Sequence, residues 1–451
     1  MKKIALAILS LLVCLLMLCS CAATDPASTS TTTTLTPDAT IDLSKMTTGA
    51  AASAILIENK VITIKAAGVF ALTGTSQDAR IVIDTDKNNN VTLLFSGAEL
   101  TCADHAPIYA KSAKNVYITT QSGTNNTIKN TNGYSSATSE ADNVNAAIFS
   151  KCDLIFDGEG ELHISASEGS AVSGKDDLKI NNSTITVNAP KHAIDANDSI
   201  EIKGGTLTLT AGEDAIHTKN NDDPTLGVFE MKGGSINISA GDDAIRANAS
   251  ITISGGNINA EKCKDGFKAE QIFINGGDIS INATADGINA STDAEDPSSV
   301  ECKVHITDGK LSIITNEDAI DSNGTVTMDG GEVIIYGPEK IINGVGALDY
   351  DKTAVINGGR FIAFTCPGKA FSDTSTQAFF ALNLAKRSEA TNVVIKSSDG
   401  TLIYEGEAKL PFNSVQISTP DISVGGTYTV SIADKTISVS QTAIITKIKE
   451  S

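Results

Sequence analysis

The 451-residue sequence has no tryptophan, seven tyrosines and thirteen phenylalanines. So few aromatic rings argue against a broad stacking platform for crystalline cellulose. Positive charge is also scarce: 34 Lys and Arg stand against 54 Asp and Glu, a formal net charge of −20. That excludes nucleic acid, which needs a basic stripe, and makes cations the natural partners. There is no CxxC pair. Three of the eight cysteines (Cys14, Cys19, Cys21) lie in the apolar N-terminal run. The other five, Cys102, Cys152, Cys263, Cys302 and Cys366, are odd in number and far apart. A disulfide framework or a cysteine zinc site does not fit that spacing, and small buried thiols do. HExxH, a phosphate loop and a Ser/His/Asp set are all missing, so no hydrolase signature stands out.

The chain begins "MKKIALAILSLLVCLLMLCSCAAT". Two lysines before a long apolar run make an export signal. The run ends in Leu18-Cys19-Ser20-Cys21, which resembles the bacterial lipobox. That resemblance implies lipidation at Cys21 and anchoring at the extracellular face of the bacterial cell membrane. A plain signal peptide or a transmembrane anchor is the other reading. Residues 22–44 are Ser/Thr-rich without apolar patterning and read as a tether.

Behind the tether the sequence repeats. Val172, Ile194, Ile216, Ile245, Phe267, Ile288 and Ile320 align at steps of 22, 22, 29, 22, 21 and 32 residues. The base period is thus 22, with insertions of roughly seven and ten residues. Each period holds an alternating run into a glycine pair ("SIEIKGG", "SITISGG", "QIFINGG"), a second after it ("TLTLT", "SINIS"), and a third at an acidic slot ("DAIRA", "DGINA"). Alternation with period two sends every second side chain to one face. Three short strands and three turns make one coil, so the spacing predicts an all-β fold: a parallel β-helix over residues 45–375 with coils of about 22 residues. Leu207, Ile236, Ile258, Ile279, Leu311, Val333 and Phe361 should form one interior ladder. The glycine pair supplies positive φ or close approach at a corner, with Asn182 and Asp308 filling one glycine position. After residue 375 the register is lost and two hairpin patterns appear, so residues 376–451 read as a β-rich C-terminal cap over the open solenoid end.

The acidic slot carries Asp214, Asp243, Asp265, Asp286 and Asp318. Stacked coils would place these about 4.8 Å apart, where bare carboxylates repel. Bound cations relieve the repulsion, and all-oxygen ligands favour Ca²⁺ over zinc or copper. Glu213, Asp242, Glu270 and Glu317 are the neighbouring acids expected to complete the shells. The other reading is a solvated turn column whose aspartates cap backbone amides. His192 occupies the slot one coil earlier and Lys340 one coil later, so the column looks bounded. The insertions, near 219–227, 291–300 and 344–353, fall at one corner, where solenoids place binding surfaces.

The opening "ITIKAAGVFALTGTSQDARIVID…VTLLFSGAEL", the "AAIFSKCDLIFDGEGELHISAS" coil and the "GG…DDAI/DGI" coils together resemble the calcium-binding parallel β-helix carbohydrate-binding proteins of plant-cell-wall-degrading anaerobic bacteria. The resemblance covers residues 45–435. It implies a right-handed, pectate-lyase-like solenoid holding several calcium ions and binding polysaccharides such as polygalacturonate or cellulose. Ala215, Ala244 and Ala319 depart from the family's usual glycine after the slot. The expected function is a surface-anchored, monomeric, non-catalytic module that binds acidic or plant-wall glycan through calcium, with Arg246, Lys268, Asn289 and Asp321 meeting the sugar. The alternatives are a calcium-dependent polysaccharide lyase, with Lys264, Lys268 or Arg246 near the proton to be removed, and a structural envelope or adhesion protein.

Overall fold

The computed structural model describes residues 35–50, 53–134, 143–338 and 344–450. The run read as an export signal, Cys21, most of the stretch read as a tether, and Lys340 lie outside these residues. Residues 37–451 form one compact unit. It is all-β, with 59% of residues in strands and a β-solenoid of about 11 turns averaging about 25 residues. The average exceeds the 22-residue base period because the corner insertions are counted in it.

The alternation read from sequence is the alternation of burial. Thr206–Ala211 (TLTLTA) alternates exposed and buried residues along its length, and Ser235–Ala240 keeps the same phase. Each apolar residue then stacks on its equivalent one coil away. Leu207 pairs with Ile236, Ile236 with Ile258, Ile258 with Ile279, Ile279 with Leu311, Leu311 with Val333, and Val333 with Phe361. A second ladder runs Val172–Ile194–Ile216–Ile245–Phe267–Ile288–Ile320–Leu348 on the third side. These ladders fill one continuous core.

The three runs per coil form two sheets. The short strands after the slot, such as Ile245–Ala247 and Phe267–Ala269, build a 13-stranded sheet. The runs before and after the glycine pair belong together to a 23-stranded sheet. In some coils they join into a single bent strand, as in Asp177–Ala189 and Gln271–Ala283. Where a glycine pair stands between the two runs, the bend falls at its second glycine, with φ of +91° at both Gly205 and Gly277. The substitutes behave differently from the sequence expectation. Asp308 leaves the left-handed role to Gly309 (φ +95°), and neither Asn182 nor Asp308 adopts positive φ.

Two boundaries shift. Ala39–Asp42, inside the stretch read as tether, already pairs parallel with residues 70–73, so the solenoid begins there. The register also moves the last slot: Ile320 pairs with Leu348, which puts Gly346, not Lys340, in the position after Asp318. At the C-terminal end, Arg360–Thr365 pairs antiparallel with Phe412–Ser418, which in turn pairs antiparallel with Phe379–Ser388. Residues 392–397, 402–407, 427–432 and 435–440 make a separate four-stranded antiparallel sheet. A second core, including Phe364, Phe380, Phe412 and Tyr428, lies beneath it. Cys102, Cys152, Cys263, Cys302 and Cys366 are free and buried.

The residue after the slot shows how closely the coils approach. Ala215, Ala244 and Ala319 are fully buried, and each still accepts an amide from the neighbouring coil. At Gly266 there is no such room: a Cβ would stand 2.3 Å from the Gly287 carbonyl oxygen and 2.6 Å from Ile281 Cγ2. Gly266→Ala is therefore expected to destabilise the solenoid by about 1–3 kcal/mol through overpacking. Urea unfolding checks this, and an unchanged midpoint would contradict the close approach.

Candidate functional site

The acidic slot is a continuous ladder. The Asp243 amide donates to Asp214 Oδ1 at 3.0 Å, and the Asp265 amide to Asp243 Oδ1 at 3.3 Å. The Asp286 amide donates to Asp265 Oδ1 at 3.1 Å, the Asp318 amide to Asp286 Oδ1 at 3.0 Å, and the Gly346 amide to Asp318 Oδ1 at 2.7 Å. One oxygen of each slot carboxylate thus caps the amide one coil on. Asp214, Asp243 and Asp265 are buried, while Asp286 and Asp318 are half-buried.

The second oxygen meets the residue three positions later, which stands on the outer side of the short strand. Arg246 Nη1 lies 3.4 Å from Asp243 Oδ2, and Lys268 Nζ 3.8 Å from Asp265 Oδ2. Asn289 Nδ2 donates to Asp286 Oδ2 at 2.9 Å. These outer residues form their own ladder, Asp195–His217–Arg246–Lys268–Asn289–Asp321–Asp349. It is cationic in the middle and acidic at both ends.

Burial and neighbouring charge act together on the carboxylates. Burial, then the charges of Asp265 and Asp214, push Asp243 up to about 7. Burial, then Asp265, pushes Asp286 up to about 7. Asp318 rises to about 7 chiefly through burial, against the lowering effect of the Gly346 amide. Burial and then Asp349 raise Asp321 to about 6.

Two insertions wall off the cationic centre. Lys219, Asn220 and Pro224 on one side, and Ser291, Asp293 and Ala294 on the other, enclose a cleft of about 220 Å³ floored by Arg246, Asn248 and Lys268. The second insertion reaches back two coils, and Asp293 Oδ2 accepts from Arg246 Nη2 at 2.6 Å. Burial is the largest single influence on Arg246 and works against its charge, but the Asp293 hydrogen bond and the charges of Asp293, Asp243 and Asp214 together outweigh it and hold the guanidinium above its ordinary pKa.

Not all the expected metal ligands meet. Ligand oxygens of Asp214, Asp242 and Asp243 lie within 4.8 Å of one another. Two oxygens bound to one Ca²⁺ at about 2.3–2.6 Å are at most about 5 Å apart, so this donor set fits a calcium ion. Lys264 Nζ sits 3.1 Å from Asp242 Oδ1 and would have to yield. Glu213 turns to His192, with 3.4 Å between Oε2 and Nε2. Glu270 lines the cleft and accepts from Thr292 Oγ1 at 2.7 Å. Glu317 is exposed beside the column. Lys219 and Asp293 fall within the insertions recognised in sequence by their ranges alone. Their place in the cleft depends on how those loops fold back, which coil spacing does not encode. His192, read as the boundary of the column, joins Asp214 and His217 in a second group of donors.

Comparison with known proteins adds a family. The profile described as "Carbohydrate-binding domain-containing protein" matches residues 58–295 and again 260–446. A curated relative of the same description from Acetivibrio thermocellus is 30% identical over 133 residues, 30% of this chain. The match spans 46% of that relative's length. A solved structure described as the polysaccharide lyase-like protein from C. thermocellum, gadolinium derivative, aligns at 28% identity. It does so with a TM-score of 0.47, over 53% of this chain and 92% of that one.

The raised carboxylates have a definite sign. Groups near 7 in the folded chain, but near the ordinary value of about 4 when unfolded, stabilise the fold below pH 4 and lose that contribution as pH rises through 7. In chelator, the melting temperature is expected to fall between about pH 4 and pH 7. Asp286→Asn and Asp318→Asn keep the Oδ1 acceptor and remove the charge. Each should flatten this slope and raise the melting temperature near pH 8 by roughly 2–4 °C. Calorimetry across pH checks this, and a steeper slope in either variant would contradict it.

Proposed function

The chain belongs to the carbohydrate-binding domain-containing protein family, and we propose that it acts as a surface-anchored, non-catalytic binder of acidic plant-wall polysaccharide, assisted by calcium. The observation that carries this reading is the cleft between the two insertions. In a chain of net charge −20, Lys219, Arg246 and Lys268 line one pocket. A uronate carboxylate placed there gains charge-assisted hydrogen bonds. Asn220 and Asn248 line the same pocket and offer amide groups to sugar hydroxyls.

Calcium enters at Asp214, Asp242 and Asp243, directly beside Arg246. An ion there would neutralise the buried end of the carboxylate column and free Arg246 from Asp243 for the glycan. It would also lock two successive coils together.

Binding is favoured over elimination by the state of the basic residues. A lyase needs a base to take the proton beside the uronate carboxylate. Arg246 is held protonated by Asp293 and Asp243, and Lys268 faces the Asp265 carboxylate.

On a polygalacturonate affinity gel with Ca²⁺, the protein is expected to be retarded, and chelator should weaken that retardation. Arg246→Ala and Lys268→Ala should each lower affinity about tenfold or more, the loss of one hydrogen bond to a charged group. Asp242→Asn should instead abolish the calcium-induced rise in melting temperature. Ultraviolet detection of unsaturated product with Ca²⁺ would overturn the non-catalytic reading. Failure to bind any polysaccharide would favour a structural or adhesive envelope role.

A further inference from the structure

We propose a second metal site, for a first-row transition ion such as Zn²⁺, at His192, Asp214 and His217, where the acidic column ends. One ligand atom from each residue lies within 4.8 Å of the other two. The fold brings them together through register. His192 holds the slot one coil before Asp214, and His217 is the outer residue three positions after Asp214. The two imidazoles stack with centroids 4.3 Å apart and planes within 7°.

The second observation is an unmet nitrogen. The His192 side chain is 9% exposed, and its Nδ1 is buried without a hydrogen-bond partner, 3.5 Å from Asp214 Oδ2. An imidazole nitrogen in that state is disfavoured unless something ligates it. A metal would meet Nδ1 of His192 and the Asp214 carboxylate at once. His217 Nδ1 is held by Asp195 Oδ1 at 2.8 Å, and Asp195 Oδ2 accepts from Ser173 Oγ at 3.0 Å. A carboxylate behind a ligating histidine is the usual support that fixes its ring. Glu213, 3.4 Å from His192 Nε2, gives the other ring the same kind of partner.

Two nitrogens and one carboxylate suit zinc and its neighbours and do not suit calcium, which takes oxygen ligands. Closing on an ion at about 2.1 Å requires the donors to draw in by about 0.5 Å and one ring to tilt out of the stack. Three protein ligands leave a fourth position for water or a glycan oxygen. The site is distinct from the calcium set in its histidines, although both use Asp214, so the two ions compete for that carboxylate.

The test uses the full chain, stripped with chelator and titrated with Zn²⁺ alone, then with Co²⁺ as a spectroscopic probe. One Zn²⁺ per chain, a raised melting temperature and a Co²⁺ visible spectrum of low-coordinate nitrogen–oxygen type are expected. His192→Ala should lower Zn²⁺ affinity at least about tenfold and leave the calcium-induced melting shift in place. If His192→Ala does not fold, His217→Gln decides, because that side chain is less buried, at 16% exposed. Unchanged Zn²⁺ affinity or an unchanged Co²⁺ spectrum in the folded variant would overturn the site. So would Zn²⁺ binding that Ca²⁺ at equal concentration fully displaces.

Discussion

Each slot aspartate does two jobs with two oxygens. One oxygen receives the amide of the next coil, and these five bonds tie the register of six successive turns to a single column. A side chain on the outer ladder can therefore be placed by counting. Shifting one coil by one residue would break the column, expose the interior isoleucines and scatter the cationic cleft. The hydrogen bonds come at the cost of stacking acids that are buried or half-buried, and the residues around the column respond to that cost.

The responses vary along the stack. At Asp243 and Asp265 the chain supplies its own cations, Arg246 and Lys268. At Asp286 it supplies an amide from Asn289. Toward Asp318 the neighbours are Asp321 and Asp349, and burial with the neighbouring charges raises Asp318 to about 7 and Asp321 to about 6. At Asp214 the neighbours are two histidines. A repeat that looks uniform in sequence thus offers, coil by coil, different sites for a cation, an anion or a proton.

Most of the solenoid was legible because its physics is local and periodic. Alternation fixed the strands, and the step from Ile194 to Ile216 fixed which residues would stack. The legible part fails where position depends on something aperiodic. Lys340 sits nine residues after a glycine pair, as a slot residue should, yet the longer turn carries the register on to Gly346. Ala39–Asp42 lies in a Ser/Thr-rich stretch, and only its pairing partner at residues 70–73 shows it to be a strand. Asp293 reaches Arg246 across 47 residues because a loop folds back, not because a spacing repeats. His192 was read only as the boundary of the column, and its meeting with His217 was not legible for a related reason. His192 and His217 match no short metal motif, and they meet only because one is a slot residue and the other an outer residue of the next coil.

The solenoid also ends differently from the way it runs. Its coils pair parallel, but Ala39–Asp42 meets Thr47–Thr48 antiparallel, Ile55–Glu58 meets Val61–Ile64 antiparallel, and the last long strand meets Phe412–Ser418 antiparallel. A parallel stack is an open template: any further strand of like direction could add to it, from the same chain or another. Reversing the chain at both ends of the 23-stranded sheet, and at the first end of the 13-stranded one, weakens that invitation. Where the direction reverses, a further parallel coil has no edge of like direction to extend, so the number of coils is set by the chain's own sequence.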